Sequence, residues 1–165
     1  MIRFEYLKKQ EKESWLPKLF DLFYENMQLI VSDPAPYTEQ MEEWLSQVSP
    51  ALDKAPRQVV LCLDGDRLAG FCMYYTRQEL LMVEELQISK KHQKTTVFYS
   101  LCRFLRNHLP KDTVIIEAYA HKQNRNSLKL MGRMDMEIVE ESVHGDLVHL
   151  RGNIQRTGFL RMNKQ

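Results

Sequence analysis

One stretch, from Leu80 to Leu109, constrains the fold of this chain more than any other, because it reads as a strand, a basic turn and a helix in direct succession. Leu80 to Ile88 is apolar and long enough for a central strand. Apolar residues then recur at helical spacing from Val97 up to Pro110, which ends the pattern. The apolar run from Thr113 to Ala120 predicts the next strand. The sequence therefore predicts one strand–helix–strand crossover, with this helix as its connection.

The turn between that strand and that helix is strongly basic. It has the sequence Lys90-Lys91-His92-Gln93-Lys94-Thr95-Thr96. Backbone N–H groups without partners and the positive end of the helix dipole meet at a helix N-terminus, so a cationic turn there suits a phosphate or pyrophosphate. The alternative is a solvated surface turn, because most lysine-rich turns bind no ligand. Both interpretations stay open on this stretch alone.

Two amphipathic helices are predicted before this stretch, after a short strand at Ile2–Tyr6. In the first helix, Ser14 is the expected N-cap and Pro17 falls in the first turn, where its missing N–H matters least. In the second, Thr38 is the expected N-cap and Pro50 marks the end. Each helix has one apolar face, which predicts that both helices pack against a core.

A hairpin is predicted between the second helix and the central strand. Its strands are Gln58–Leu63 and Leu68–Thr76, and its turn is Asp64-Gly65-Asp66-Arg67, a sequence typical of antiparallel hairpins. The two aspartates could suggest a metal site. We interpret them as turn formers, because the residues after them lack the ligand spacing of a calcium loop.

The C-terminal third predicts a helix and a closing hairpin. The helix runs from about Asn126 to Met134, and the strands Met136–Val143 and Leu147–Ile154 flank His144-Gly145-Asp146. A basic tail follows, with Arg156, Arg161 and Lys164. The order of all these elements favours an α/β domain with a mixed, largely antiparallel sheet and helices on both faces over a doubly wound nucleotide-binding fold.

Composition narrows the class of protein. The formal net charge of +1 over 165 residues does not indicate a nucleic-acid-binding protein, and the length fits one domain with one core. Cys62, Cys72 and Cys102 are odd in number and set among apolar residues, which predicts buried free thiols and a cytoplasmic protein. No signal peptide, bilayer-spanning run, zinc-ligand spacing, serine-hydrolase elbow or Walker loop is found in the sequence. A small-molecule or protein partner is therefore expected, without a metal, a membrane or nucleic acid.

The element order and two short segments resemble the GNAT superfamily of acyl-CoA-dependent N-acyltransferases. The resemblance covers nearly the whole chain in element order and is sharpest over Glu85–Ile88 with the following turn, and over Asn124–Ser127 with the following helix. It implies a single GNAT-like domain over residues 1–165, with acetyl-CoA as co-substrate. It also implies a primary amine of a small molecule or peptide as acceptor, and it is compatible with a homodimer.

The resemblance places coenzyme A on the basic turn. In the family, this turn has the form Arg or Gln, two residues, Gly, one residue, Gly or Ala, and its amides hold the pyrophosphate. Gln93 fits the first position, whereas Lys94, Thr95, Thr96, Val97 and Phe98 follow without a glycine. Glycine lets a ligand approach the backbone closely, so lysine charge and threonine hydroxyls would have to replace part of that contact.

The resemblance also implies a reaction site. Glu85 matches a position at which several members carry the general base, and N–H groups near Leu86 and Ile88 would polarise the thioester carbonyl. The alternative for Glu85 is a carboxylate at the strand edge, paired with lysine or water. Asn124 and Ser127 match the residues beside the pantetheine arm.

The usual general acid is absent from its expected position. Met131 stands where many members have the tyrosine that protonates the leaving thiolate, and Asp135-Met136 replaces the usual Gly-Phe. Methionine cannot donate a proton, so Tyr119, Tyr99 or water would have to serve. Two hypotheses follow. The chain is an active N-acetyltransferase, or it is a catalytically inactive GNAT-like binding or regulatory domain that has lost coenzyme A binding.

Overall fold

The structure is a computed structural model that describes residues 1–54, 56–143 and 145–155, and for Ser142 and Val143 it describes the backbone alone. Within these ranges the strands are β1 (Ile2–Tyr6), β2 (Gln58–Asp64), β3 (Arg67–Arg77), β4 (Leu80–Ile88), β5 (Ile115–His121), β6 (Glu137–Val143) and β7 (Leu147–Asn153). The helices are α1 (Lys12–Gln28), α2 (Tyr37–Leu52), α3 (Val97–His108) and α4 (Arg125–Arg133).

The strands form one mixed sheet in the order β1-β2-β3-β4-β5-β7-β6, and the four helices flank it. Strands β4 and β5 are parallel because α3 connects them as a crossover. Strands β1 and β2 are antiparallel, and so are the pairs β5–β7 and β6–β7. The predicted mixed, mostly antiparallel α/β fold is therefore confirmed, and so are both predicted hairpins.

The described chain groups into two compact units. The N-terminal unit comprises Met1–Met73 and Glu85–Val97, and the C-terminal unit comprises Tyr74–Glu84 and the chain from Phe98 onward. Strands β3 and β4 contribute residues to both units. The expectation of a single domain over residues 1–165 stays a prediction.

The core of the N-terminal unit joins the apolar faces of α1 and α2 to β2 and β3. Phe20 is fully buried, and its ring meets the ring of Trp44 at a centroid distance of 5.7 Å. The remaining buried members of this core are Leu16, Leu19, Leu22, Val48, Leu52, Val59, Leu61, Leu63, Phe71 and Met73. The packing of both helices against a core was predicted from their periodicity and is confirmed.

Helix α1 begins at Lys12, so the predicted N-cap at Ser14 is wrong. Ser14 lies in the first turn, where its hydroxyl donates to the Glu11 carbonyl at 2.8 Å, and Pro17 lies inside the helix. The early start is stabilised by the Lys12 ammonium, which is nearly buried and donates to the Asp53 carboxylate at 2.9 Å. This tertiary contact outweighs the local capping preference.

Helix α2 also extends beyond its predicted bounds. It begins at Tyr37 with Pro36 in the capping position, and it continues through Pro50 to Leu52. The predicted cap at Thr38 and the predicted end before Pro50 are therefore wrong. Proline removes one helical hydrogen bond, whereas Leu52 is buried in the core and its burial favours another helical turn.

The C-terminal unit packs the alternate residues of its strands into a second apolar cluster. Ile116, Ala118 and Ala120 of β5 are buried, and so are Val148 and Leu150 of β7. The intervening residues of β5 are half-buried and lie on the opposite face of the strand. That face includes Glu117 and Tyr119, whose contacts are described below.

Strand β6 is the outer strand at one end of the sheet order. Its pairing with β7 shifts register between Ile138 and Glu140 and again between Glu140 and Val143. Ile138 and Val139 are 49% and 52% exposed. The three glutamates of this strand are exposed as well, at positions 137, 140 and 141.

Cys62, Cys72 and Cys102 are buried and form no disulfide, as predicted. Burial raises the pKa of Cys62 to about 12. Among the described residues, no helix combines the length and the apolar character needed to cross a bilayer. His144 and the predicted basic tail at Arg156, Arg161 and Lys164 lie outside the described residues.

Candidate functional site

Glu85 lies near the end of β4 and is half-buried in the N-terminal unit. The side-chain amide of Gln87 donates to its carboxylate, with 2.6 Å between Gln87 Nε2 and Glu85 Oε1. The two residues are two positions apart on a strand and share one face, opposite to Glu84. The carboxylate is thus held by an amide, a contact that neither interpretation of the sequence anticipated.

Helix α1 sets the orientation of that amide through Asn26. Asn26 is 5% exposed, and its Nδ2 donates to Gln87 Oε1 at 2.8 Å and to the Ile88 carbonyl at 3.0 Å. Because the oxygen of Gln87 accepts from Asn26, its nitrogen is directed to Glu85. Sequence reasoning missed both Asn26 and Gln87. The available signal was a polar residue on the apolar face of α1, four positions after the buried Leu22.

Gly70 of β3 allows a close approach to this end of β4. A Cβ at Gly70 would lie 2.6 Å from the Gln87 carbonyl oxygen and 2.8 Å from Ile88 Cδ1. The Ser89 N–H donates to the Ala69 carbonyl at 2.8 Å just beyond this point. A residue without a side chain is therefore required here by packing, since Cβ atoms essentially never approach other atoms so closely.

Gln93 is directed back to the end of β4. Its Nε2 donates to the Ile88 carbonyl at 3.0 Å and lies 3.4 Å from Asn26 Oδ1. Glu85, Gln87, Asn26 and Gln93 thus form one chain of hydrogen bonds within the N-terminal unit. The first residue of the predicted coenzyme turn is a member of this network.

A second set of contacts ties the turn to β2. Ser89 Oγ lies 2.7 Å from His92 Nδ1, and His92 Nε2 lies 3.2 Å from Asp64 Oδ2. Since a carboxylate only accepts, Nε2 carries a proton, and in the neutral imidazole Nδ1 accepts from the serine hydroxyl. The hydrogen bond from His92 lowers the pKa of Asp64, and partial burial opposes this effect. Because Ser89 precedes a single 3₁₀ turn at Lys90–His92, this contact closes the turn.

The start of α3 is capped by Thr95. Its hydroxyl donates to the His92 carbonyl at 2.6 Å and accepts from the Val97 N–H at 3.3 Å. Lys94, Thr95 and Thr96 are exposed, and so are Lys90 and Lys91. The turn therefore presents cations to solvent, while one amide that a phosphate would use already has a partner.

Tyr119 of the C-terminal unit stacks on His149, with 4.8 Å between ring centroids and 22° between planes. Glu117 Oε2 lies 3.3 Å from His149 Nε2, and Glu117 Oε1 lies 3.6 Å from Arg151 Nη1. His149 Nε2 is buried and has no hydrogen-bond partner among the described residues. The predicted acid thus belongs to a cluster of titratable groups.

Asn124 and Ser127 lie together at the start of α4. Asn124 is the N-cap, and its Oδ1 accepts from the Ser127 N–H at 3.1 Å. At the other end of α4, Asp135 has a φ of 59°, the left-handed conformation that favours glycine. The resemblance matches a glycine to this position, and glycine adopts this conformation readily.

The predicted site residues fall in both units. Glu85, Leu86, Ile88 and Gln93 through Val97 belong to the N-terminal unit, whereas Phe98, Tyr119, Asn124 and Ser127 belong to the C-terminal unit. Phe98 packs edge-on against Tyr99, at a centroid distance of 5.5 Å. Within the described ranges, no three His, Cys, Asp or Glu side chains are grouped as metal ligands would be. The catalytic and coenzyme roles of these residues stay predictions.

Solved structures share this fold. The chain is similar to an acetyltransferase from Thermus thermophilus with a TM-score of 0.69 at 14% identity, covering 93% of this chain and 97% of that one. It is also similar to the PaiA N-acetyltransferase from Thermoplasma acidophilum in complex with coenzyme A, with a TM-score of 0.65 at 12% identity and 93% and 99% coverage.

A third similar structure is the ribosomal-protein-S18-alanine N-acetyltransferase from Escherichia coli, with a TM-score of 0.63 at 11% identity and 93% and 94% coverage. No protein-family model matches the sequence, and no curated protein matches it. At these identities the likeness concerns the fold. The chain has the GNAT fold, as its sequence predicted.

Proposed function

We propose that this protein is an N-acetyltransferase that transfers the acetyl group of acetyl-CoA to a primary amine of a small molecule or peptide. The fold supports this proposal, since the similar structures named above are acetyltransferases and one contains coenzyme A. The observation that carries it is the carboxylate of Glu85, held at the end of β4 by the 2.6 Å hydrogen bond from Gln87.

Glu85 acts as the general base in this proposal. An alkylammonium must lose a proton before its nitrogen can attack, and the carboxylate takes that proton directly or through one water. The free amine then forms a C–N bond to the thioester carbonyl carbon, and collapse of the tetrahedral intermediate breaks the C–S bond. The thiolate that leaves takes a proton from Tyr119, Tyr99 or water, and the second proton that the attacking nitrogen loses returns to that donor.

The network around Glu85 provides positioning. Gln87 fixes one carboxylate oxygen, and Asn26 fixes Gln87 from a buried position on α1. A base whose rotamer is fixed loses little entropy when the amine arrives, and such ordering supplies a large part of enzymatic acceleration.

The turn fits coenzyme A through charge. Lys90, Lys91 and Lys94 are exposed and can pair with the phosphates, and Thr96 is exposed nearby in sequence. The side-chain amide of Gln93 donates to the Ile88 carbonyl and the Val97 N–H donates to Thr95, so these two groups contribute little to a phosphate. Coenzyme affinity should therefore depend strongly on lysine charge and on ionic strength.

Calorimetric titration with acetyl-CoA and with coenzyme A tests the binding step. Micromolar affinity, about −8 kcal/mol, would support the proposal and make a screen of amine acceptors worthwhile. Lys94→Glu should weaken binding, whereas Lys111→Glu, an exposed lysine on another turn, should not.

The catalytic step is tested with the acceptor that the screen identifies. Glu85→Gln should lower turnover at neutral pH with coenzyme affinity retained, whereas Glu84→Gln on the opposite face of the strand should keep turnover. Equal turnover of the wild type and Glu85→Gln would remove Glu85 from the role of base.

The second candidate function is a GNAT-like binding or regulatory domain without coenzyme A. The observation that favours it is the cap of α3, because Thr95 occupies the Val97 amide and no glycine opens the turn. If neither acetyl-CoA nor coenzyme A gives heat or a thermal shift, this candidate becomes the better one, and the search moves to protein partners.

A further inference from the structure

The hydroxyl of Ser89 is paired with an imidazole rather than with the backbone of the turn that it precedes. Ser89 stands in the capping position of the 3₁₀ turn at Lys90–His92, yet its side chain caps no N–H of that turn. A serine at a capping position usually accepts from a backbone N–H. Here the Oγ atom lies 2.7 Å from His92 Nδ1 instead. The partner of this hydroxyl is therefore a side chain that can take its proton.

The imidazole is itself held by a carboxylate. His92 Nε2 lies 3.2 Å from Asp64 Oδ2, and the His92 side chain is only 13% exposed. The hydrogen bond from His92 holds the pKa of Asp64 below its ordinary value, so this carboxylate is ionised at neutral pH. An ionised carboxylate fixes the Nε2–H tautomer and stabilises the imidazolium that forms when Nδ1 accepts a proton.

Ser89, His92 and Asp64 thus have the order of a nucleophile, a base and an orienting carboxylate. Such a set is recognised by its geometry and not by its position in the sequence. Here Nδ1 faces the serine and Nε2 the carboxylate, and a neutral imidazole offers one acceptor and one donor in either arrangement. The search for a local serine-hydrolase elbow could not find this set, because Asp64 lies on another strand, 28 positions before His92.

We propose that Ser89 is a nucleophile for activated acyl groups, and that the protein hydrolyses acetyl esters and thioesters through an acetyl-Ser89 intermediate. His92 Nδ1 takes the hydroxyl proton as Ser89 Oγ forms a C–O bond to the acyl carbon. The bond from that carbon to the leaving oxygen or sulfur breaks, and the leaving group takes the proton from His92. Water, deprotonated by His92, then attacks the acetyl carbon, and acetate leaves as Ser89 Oγ regains the proton.

The surroundings of Ser89 suit an acyl group under attack. Ser89 directly follows β4 and is half-buried, and the next two residues, Lys90 and Lys91, are exposed lysines. The charge of Lys91 contributes to the lowered pKa of Asp64, which places this ammonium close to the three side chains. A carbonyl oxygen becomes negative when it is attacked, and a nearby ammonium stabilises that charge. The ester part of the proposal depends on these residues alone, whereas the thioester part rests on the function proposed above.

The nucleophile is tested with p-nitrophenyl acetate in the absence of coenzyme A. We expect a burst of nitrophenolate equal in amount to the protein, and mass spectrometry of a digest should find an acetyl group on Ser89. Ser89→Ala should remove both signals. Ser46→Ala, which changes an exposed serine on α2, is the matched control and should retain them. A wild type without the burst and without acetyl-Ser89 would overturn the proposal.

The base is tested at His92. His92→Gln keeps a polar side chain without a base, so acetylation of Ser89 should slow by about 10²-fold or more. His108→Gln, at an exposed histidine on α3, should leave the rate unchanged. Ser89→Cys keeps a nucleophile of similar size and should be acetylated on sulfur, which provides a test that does not depend on the folding of Ser89→Ala. Thermal unfolding checks the fold of each variant, and acetylation of His92→Gln at the wild-type rate would overturn the role of the base.

Asp64 is tested as a positioning residue by the pH dependence of the burst. The charged groups near the imidazole are the Asp64 carboxylate, the Lys91 ammonium and the amino group of Met1, which lies 3.6 Å from Asp64 Oδ1. The base must be neutral to react, so the rate should fall on the acidic side. Asp64→Asn removes the charge that favours the imidazolium, so this acidic limb should move to lower pH. A limb that stays in place would overturn the positioning role, since a purely structural residue would change the rate alone.

Acetyl-CoA without an amine tests the thioester part. Release of the coenzyme A thiol together with acetyl-Ser89 would support it, and Ser89→Ala should then release no thiol. If the nitrophenyl ester acetylates Ser89 and acetyl-CoA does not bind in calorimetric titration, the ester part stands and the proposed transferase function fails. If acetyl-CoA binds and an amine is acetylated while neither reagent labels Ser89, the transferase function stands and this inference is overturned.

Discussion

Asn26 Nδ2 donates to Gln87 Oε1 at 2.8 Å and so connects the buried face of α1 to the end of β4. The consequence reaches Glu85, because an amide whose oxygen is engaged must offer its nitrogen to the next acceptor. The contact joins residues 61 positions apart. It makes the orientation of the candidate base a property of the folded core.

Replacing Asn26 by leucine should therefore affect stability and activity together. Asn26→Leu keeps volume and removes both donors, so the free energy of unfolding should fall by about 1–3 kcal/mol. Urea unfolding measures this change, and kcat should fall with the loss of order at Glu85. Asn126→Leu, on the exposed side of α4, is the control. Unchanged stability of Asn26→Leu would show that the network is not a stabilising feature.

A second carboxylate at position 87 should shift the pH dependence of turnover. In Gln87→Glu, two carboxylates would compete for one proton, which raises the apparent pKa of the pair. A general base must be ionised, so the acidic limb of the kcat profile should move to higher pH. Gln47→Glu, on the exposed face of α2, should leave the profile in place. A profile that does not move would place Glu85 outside the proton transfer.

Asp64 should make the free energy of unfolding depend on pH in the acidic range. Its pKa in the folded state lies below the ordinary value of 3.8, chiefly because of the hydrogen bond from His92. A depressed carboxylate stabilises the fold above its unfolded pKa, and this contribution is lost as the pH falls through the folded pKa. Chemical unfolding between about pH 5 and 2 should show a steeper loss for the wild type than for Asp64→Asn. Asp66→Asn should behave as the wild type, and parallel curves for all three would refute the assignment.

Gly70 and Gly132 should respond to alanine with opposite signs. In Gly70→Ala the new Cβ meets the Gln87 carbonyl oxygen at 2.6 Å, so the strands must separate at a loss of about 1–3 kcal/mol. In Gly132→Ala the new Cβ meets nothing within 4 Å inside α4, so the helix should gain up to about 1 kcal/mol. Thermal unfolding of both variants measures the difference. A neutral Gly70→Ala would mean that β4 adjusts freely at this point.

The thiols should be inert in the folded protein. Cys62, Cys72 and Cys102 are buried, which keeps a reagent away from all three, and the pKa of Cys62 is raised to about 12, so Cys62 has almost no thiolate at neutral pH. An alkylating reagent at pH 8 should label none of them until denaturant is added, when mass spectrometry should find all three modified. Rapid labelling of the native protein would contradict their burial.

The features that the sequence predicted correctly are those that depend on neighbouring residues. The Asp-Gly turn and the alternation around it predicted the first hairpin, and Gly65 adopts the expected left-handed φ of 63°. Local preference gave the wrong boundary where a distant contact decides. Helix α1 begins before Ser14, because the nearly buried ammonium of Lys12 pairs with the exposed carboxylate of Asp53.

The hydrogen-bond network around Glu85 could not be predicted from the sequence, because it too depends on contacts between distant residues. Nothing near Asn26 in the sequence indicates that its partners are Gln87 and Ile88, because the three residues meet only when α1 packs on the sheet. Glu85 itself was identified because family resemblance marks the position. Its hydrogen-bond partner could not be identified in this way.

The outer strand β6 is poorly suited to edge-to-edge pairing between the sheets of two copies of this chain. A continuous hydrogen-bonded ladder needs a straight edge with regular register, whereas this strand changes register twice. A copy laid antiparallel along it would also bring the glutamates of both strands together. This edge is thus protected against fibril-like growth even though Ile138 and Val139 are half exposed.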